Sequence, residues 1–117
     1  MSLSRFISIV ALVPLVACTD PVIGSWELDT IRSEGCTIDG DLDVDEALEA
    51  EFDINVSCDG QTDFGQAEGD VTVKADNRYT MELVFEGNSN EFDCELDGDF
   101  LTCDDDFGLT WDFERVN

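Results

Sequence analysis

The chain has 117 residues, which gives room for one domain whose hydrophobic core stabilises it only modestly. Asp and Glu number 29 against 5 Lys and Arg, and the resulting net charge of −24 excludes DNA and RNA binding, which rests on basic contacts. The sequence has no histidine, which excludes serine–histidine and cysteine–histidine nucleophile pairs and histidine-based zinc sites.

The first predicted element is an apolar segment at the N-terminus. Residues 1–5 carry one positive charge, and an apolar run of eleven residues follows at 6–16. As a helix this run would span only about 16 Å, whereas a membrane crossing needs about 20 residues. The segment therefore predicts a signal peptide over residues 1–17 that is cleaved from the working protein.

The apolar run ends in the sequence Leu15, Val16, Ala17 and Cys18, which resembles the lipobox of bacterial lipoproteins. The resemblance implies cleavage before Cys18 and acylation of that cysteine, so that the membrane would be a partner through a lipid anchor, with residues 18–21 as the lipidated cysteine and short tether. Localisation would be the bacterial cell envelope. Because Thr rather than Asp follows the cysteine, the outer membrane is favoured in a Gram-negative host. The alternative is an ordinary secretory signal with an incidental cysteine.

The number of cysteines supports lipidation independently. Five cysteines leave one unpaired in any disulfide scheme, and an exposed free thiol is a liability in an oxidising compartment. Lipidation of Cys18 leaves four cysteines for disulfides, namely Cys36, Cys58, Cys94 and Cys103.

Beyond the tether the hydrophobic period is two, which is typical of strands with one buried face. The clearest case is 48–58, where apolar residues alternate with acidic and polar ones. The pattern recurs at 22–31, 70–75, 78–86, 91–96, 99–103 and 107–116, separated by turn-like sequences that include 33–40 and 59–69. We therefore predict an all-β domain over residues 22–117, a small antiparallel up-and-down barrel or sandwich of seven or eight short strands.

One hairpin can be worked out residue by residue. If Gly98 and Asp99 form a two-residue loop, Cys94 lies opposite Cys103 at a non-hydrogen-bonded site, where a disulfide is geometrically possible. This pairing leaves the other two cysteines of the domain to pair with each other. The two other connectivities remain open.

The sequence Gly24, Ser25 and Trp26 resembles the opening strand of lipocalins and of lipocalin-like domains in small bacterial lipoproteins. In that family the Gly-x-Trp motif closes one end of the barrel, and an Arg of the last strand stacks over the Trp. The resemblance implies this role for Arg115, as a cation–π contact worth about 0.5–2 kcal/mol. We predict a non-catalytic binding or structural module and not an enzyme, since paired catalytic acids cannot be distinguished among the 29 acids and short turns indicate no cleft.

Ligand carriage depends on whether the barrel interior is filled. The 100 residues after the signal peptide are fewer than in ligand-carrying lipocalins, and large side chains at inward positions could fill a small barrel. These side chains are Phe52, Tyr79, Met81, Phe85, Trp111 and Phe113. An unfilled barrel would take a small apolar ligand, whereas a filled acidic domain would bind divalent cations or an envelope protein.

Three clustered acids could begin a calcium-binding loop. Asp39, Asp41 and Asp43 fit the first positions of an EF-hand, but Val44 and Ala50 stand where the loop needs Gly and Glu. A looser surface Ca²⁺ site remains as an alternative, with the weak candidates Asp39, Asp41, Asp43, Asp104, Asp105 and Asp106. We favour a solvated acidic face without a bound metal or cofactor.

Since like charges on neighbouring strands destabilise a sheet, we expect the domain to melt higher in added salt.

Overall fold

Alternating apolar and polar residues form nine antiparallel strands over residues 20–116, which are described by a computed structural model. The strands are β1 (Gly24–Leu28), β2 (Ile31–Ser33), β3 (Cys36–Val44), β4 (Glu49–Cys58), β5 (Gln61–Ala75), β6 (Arg78–Phe85), β7 (Asn88–Asp97), β8 (Phe100–Asp105) and β9 (Thr110–Arg115). The predicted signal peptide, the lipidation site Cys18 and Asn117 lie outside the described residues. Within residues 20–116, no helix has the length and apolar character to cross a membrane.

The strands close into an up-and-down barrel. Neighbours in the sheet follow chain order from β2 to β9, and β1 pairs with both β9 and β3. Eight strands therefore form the closed barrel. The ninth, β2, is a short extra strand that pairs with residues 36–38 at the beginning of β3. The predicted all-β antiparallel barrel is confirmed.

The alternating strand directions give the barrel two distinct ends. The closed end carries Asp20–Ile23 and the turns after β3, β5 and β7. The open end carries the turns after β2, β4, β6 and β8. Side chains that alternate inward along each strand fill the space between the ends, and Trp26, Phe52 and Phe113 are the largest that are fully buried.

Segments 33–40 and 59–69, predicted as turns, are largely strand, in β3 and in the first half of β5. The physical reason is that glycine occupies inward positions there, so the apolar alternation is broken. A Cβ on Gly40 would lie 2.6 Å from Phe52 Cε1, and one on Gly65 would lie 2.3 Å from Phe85 Cε1. These aromatic rings fill the space that a side chain of β3 or β5 would otherwise take.

Both predicted disulfides are confirmed. Cys94 and Cys103 are opposite residues in the β7–β8 hairpin, with Cα atoms 4.0 Å apart, and Gly98 begins the two-residue loop with φ +63°. Cys36 and Cys58 face each other at the open end of β3 and β4, with Cα atoms 4.2 Å apart. The first disulfide is buried in the core, and the second is half-buried.

The outer surface of the barrel, here called the acidic wall, places acids directly opposite acids. Nine such cross-strand pairs occur in the described residues: Glu27–Asp41, Glu27–Glu114, Asp41–Asp53, Asp43–Glu51, Glu49–Asp70, Glu51–Glu68, Asp70–Glu82, Glu82–Glu91 and Asp93–Asp104. Two ion pairs are found in the same region, Arg78–Glu95 at 3.4 Å and Arg115–Asp99 at 3.2 Å. Repulsion across the acidic wall is therefore largely uncompensated by basic side chains.

Candidate functional site: an apolar cup at the open end

The Gly-x-Trp motif lies at the closed end of the barrel. Arg115 Cζ is 4.3 Å from the centroid of the Trp26 ring, and Trp26 is fully buried. Gly24 has φ +141°, and a Cβ there would lie 3.2 Å from Arg115 Nη1. Glycine therefore allows both the backbone conformation of β1 and the close approach of the guanidinium.

Asp20–Ile23 plug this end of the barrel. Val22 is 1% exposed, and its carbonyl oxygen accepts a hydrogen bond from Trp26 Nε1 at 3.0 Å. Arg115 Nη2 donates to the carbonyl oxygen of Pro21 at 2.6 Å, so the last strand holds the segment that precedes the first. The interior is not accessible from this side.

A contact between residues far apart in the chain completes the plug. Tyr79 Oη donates to Asp20 Oδ1 at 2.5 Å. Burial, this hydrogen bond and the charges of Asp20 and Asp76 raise the pKa of the Tyr79 hydroxyl well above its ordinary value of 10.0. Tyr79 therefore stays a neutral donor at physiological pH, and its contribution to stability is lost only as alkaline pH rises through and beyond the unfolded-state pKa.

At the open end the barrel interior forms an apolar cup of about 200 Å³. Eight apolar side chains line it, namely Phe52, Ile54, Ala67, Leu83, Phe85, Phe92, Phe107 and Trp111. Of the six large side chains predicted to fill the barrel, Phe85 and Trp111 are only half-buried, and they stand in the wall of this cup. The interior is filled below the cup and open within it.

Aromatic rings packed edge to face hold the cup in shape. The Trp111 ring is 6.0 Å from the rings of both Phe52 and Phe92, with interplanar angles of 81° and 85°. Phe52 in turn contacts Phe113 below it at 5.5 Å. Such pairs contribute roughly 0.5–1.5 kcal/mol each beyond the area they bury, so the floor and one wall of the cup are preformed.

Two polar side chains, Asp105 and Asn90, also line the cup. Asp105 is the last residue of β8, and its Oδ1 accepts hydrogen bonds from the backbone N–H groups of Phe107 at 2.8 Å and Leu109 at 2.9 Å. Its Oδ2 accepts one from Trp111 Nε1 at 3.0 Å. The carboxylate thus fixes the β8–β9 turn and orients the indole that forms the wall.

These hydrogen bonds keep Asp105 ionised. Burial alone would raise the pKa of its carboxyl, but the bonds from Trp111 and from the backbone N–H groups of Leu109 and Phe107 outweigh burial and lower the pKa below the ordinary value of 3.8. The nearby N–H of Gly108 lowers it further, although its own hydrogen bond goes to the main-chain carbonyl of Asp105 at 3.4 Å. The stability from these bonds is present above the unfolded-state pKa and is lost as pH falls through the lower folded-state pKa. The cup therefore carries a fixed negative charge on its wall at neutral pH.

Asp105 was predicted, with the surface acids, as a weak calcium candidate, but it lines the cup. Strand parity could have separated it, because Cys103 points inward and the side chain two residues further along the strand points the same way. The other candidate calcium ligands lie on the outer face or in a turn: Asp39, Asp41 and Asp43 along β3, Asp104 on β8 and Asp106 in the β8–β9 turn. In residues 20–116 no cluster of three or more potential ligands has metal-binding geometry.

A larger depression of about 790 Å³ lies on the acidic wall beside the closed end. Six carboxylates line it, those of Asp43, Asp45, Glu49, Glu51, Glu68 and Asp70. Carboxylates dominate its lining, with Val44, Ala50 and Val84 as the apolar side chains, whereas eight apolar side chains surround the cup. The cup is therefore the better candidate for binding a small apolar molecule. Comparison with known proteins adds no precedent, because no protein family, curated protein or solved structure matches the chain.

Proposed function

We propose that this chain is a non-catalytic, lipocalin-like binding module of the bacterial cell envelope, anchored by lipid at Cys18, that takes one small apolar group into the cup. The observation that carries the binding proposal is the apolar cup at one end of a barrel whose other end is plugged. A 150 Å³ apolar cavity suffices for benzene, so about 200 Å³ accommodates a single ring or a short alkyl chain and excludes a whole lipid. The polar groups at the cup wall supply orientation, as is usual in small-molecule sites.

Binding can be observed with the two tryptophans as internal probe and control. In a ¹⁵N-labelled full chain titrated with benzyl alcohol, we expect the indole N–H signal of Trp111 to shift with saturation. The signal of Trp26 should stay in place, since Trp26 lies at the closed end with its N–H bonded to Val22. Equal shifts of both signals, or none at Trp111, would contradict the proposal.

A matched pair of substitutions tests the location. Ala67 is buried in the cup wall, so Ala67→Leu fills the cup and should abolish the Trp111 response. Ala47→Leu makes the same change in an exposed turn at the closed end and should leave the response intact. Dispersion of the amide spectrum reports whether each variant is folded.

The proposed anchor is tested separately by intact-mass analysis of the protein from its native envelope. We expect a chain that begins at Cys18, carries acyl groups on that residue and lacks four hydrogens because of the two disulfides. A Cys18→Ser variant serves as the control and should leave the membrane fraction. An intact Met1 or an unacylated Cys18 in the native protein would overturn the localisation.

A further inference from the structure

The Asp105 carboxylate, which lines the cup, retains hydrogen-bonding capacity. A carboxylate offers about four lone-pair sites, and three are occupied by the two backbone donors on Oδ1 and by Trp111 Nε1 on Oδ2. One site on Oδ2 is therefore open to a further donor. Asn90, on the same cup, has no side-chain hydrogen bond to any residue in 20–116, and its amide oxygen is a second acceptor.

Asp105 supplies the charge of the cup lining. None of its ten lining residues is basic. Of the four basic residues in the described chain, Lys74, Arg78 and Arg115 lie toward the closed end. Arg32 lies at the open end on β2, which does not line the cup. With a net charge of −24, the protein concentrates cations near its surface and disfavours anions.

An apolar cup with an ionised acceptor on its wall selects among apolar ligands by their charge. A fatty acid or other apolar anion would meet Asp105 without a basic partner, and a neutral hydrocarbon would leave the open lone pair of Oδ2 unused. An ammonium group supplies a donor and a compensating charge without displacing the three bonds that Asp105 already makes. From this we infer that the cup prefers a small organic cation, with an ammonium group at Asp105 and an apolar body of one ring or a short alkyl chain.

This inference rests on the proposed function, and it is tested with three probes that share one body and differ in charge. The ¹⁵N-labelled full chain is titrated with benzylammonium, benzyl alcohol and benzoate at constant ionic strength, and the dissociation constant is taken from the Trp111 indole signal. A charge pair at 4 Å in water is worth about 1 kcal/mol, so benzylammonium should bind about fivefold more tightly than benzyl alcohol. Benzoate should bind most weakly.

Two substitutions that each remove one negative charge distinguish the site from the general field of the protein. Asp105→Asn keeps an oxygen for the turn but removes the charge from the cup wall, and it should bring benzylammonium and benzyl alcohol to equal affinity. Asp106→Asn removes a charge from the adjacent exposed residue, which does not line the cup, and should preserve the fivefold ratio. The unperturbed Trp26 signal confirms that both variants keep the barrel.

The outcomes separate the two proposals. If benzyl alcohol shifts Trp111 and binds as tightly as benzylammonium, the apolar site stands and the preference for a cation is wrong. If Asp106→Asn lowers the ratio as much as Asp105→Asn, the preference comes from the general field and the assignment to Asp105 is wrong. If benzyl alcohol does not shift Trp111, the proposed function itself fails.

Discussion

Removal of both disulfides is expected to leave the domain unfolded or marginally folded at 37 °C. In the loop-entropy description, closing loops with sequence separations of 22 and 9 residues contributes about 3 kcal/mol each. The sum of about 6 kcal/mol is comparable to the whole stability of a small domain, which is roughly 5–15 kcal/mol. The effect should be measured by urea denaturation of the oxidised chain and of a variant with all four cysteines changed to alanine.

Two double variants measure how much stability each disulfide contributes. Cys94→Ala/Cys103→Ala should cost more than Cys36→Ala/Cys58→Ala despite its shorter loop. The reason is that Cys94 and Cys103 are buried in the core, where lost volume adds a cavity term, whereas the other pair is half-buried. A fourfold variant within about 1 kcal/mol of the oxidised chain would contradict the prediction, since each disulfide alone is expected to exceed that value.

Added salt is expected to raise the melting temperature of the domain substantially. Like charges directly opposite each other destabilise a sheet, and favourable cross-strand pairs contribute roughly 0.2–1 kcal/mol each. With a cost of similar size for each like-charge pair, the nine pairs of the acidic wall together cost several kcal/mol at low ionic strength. Screening shortens the Debye length from about 30 Å at 0.01 M to about 3 Å at 1 M. If screening restores about 2 kcal/mol, the melting temperature rises by roughly 8–16 °C between these concentrations of NaCl.

Matched charge variants separate screening from the general stabilising effect of salt on apolar burial. Glu51 faces both Asp43 and Glu68, so Glu51→Gln should raise the melting temperature at low salt and flatten its dependence on salt. Glu46→Gln removes the same charge from an exposed turn outside the strand pairs and should change the slope much less. Equal slopes in the two variants would contradict the role of the acidic wall.

Millimolar calcium compared with sodium at equal ionic strength tests the alternative of divalent cation binding.

Where apolar and polar residues alternate without interruption, the sequence was sufficient to predict the fold. Counting outward from Gly98 placed Cys94 opposite Cys103, and the alternation at 48–58 predicted β4 closely. The same method missed the first half of β5, because Gly65 and Gly69 stand inward there. A Cβ on Gly69 would lie 1.6 Å from the carbonyl oxygen of Glu82, so the missing side chain is a requirement of the neighbouring strand.

The candidate site was less accessible from the sequence than the fold. Strand parity identifies Phe85 and Trp111 as inward, but it does not tell whether their rings meet across the barrel or leave space between them. The hydrogen bond between Tyr79 and Asp20 spans 59 positions of the chain and has no local signal. Both features depend on how the closed sheet brings distant strands together.

The closed end also determines how a lipid-anchored barrel would be oriented relative to the membrane. Asp20 is bonded to Tyr79 at the closed end of the barrel, and only Thr19 separates it from Cys18, so a lipid on that cysteine would be tethered to the closed end by a very short piece of chain. Trp111 and Arg115 are four residues apart on β9, so the cup lies roughly 13 Å along that strand from the closed end. A lipidated form would therefore hold its closed end at the bilayer, with its open end facing the aqueous compartment. Loading and unloading would then take place on the side facing away from the membrane that holds it.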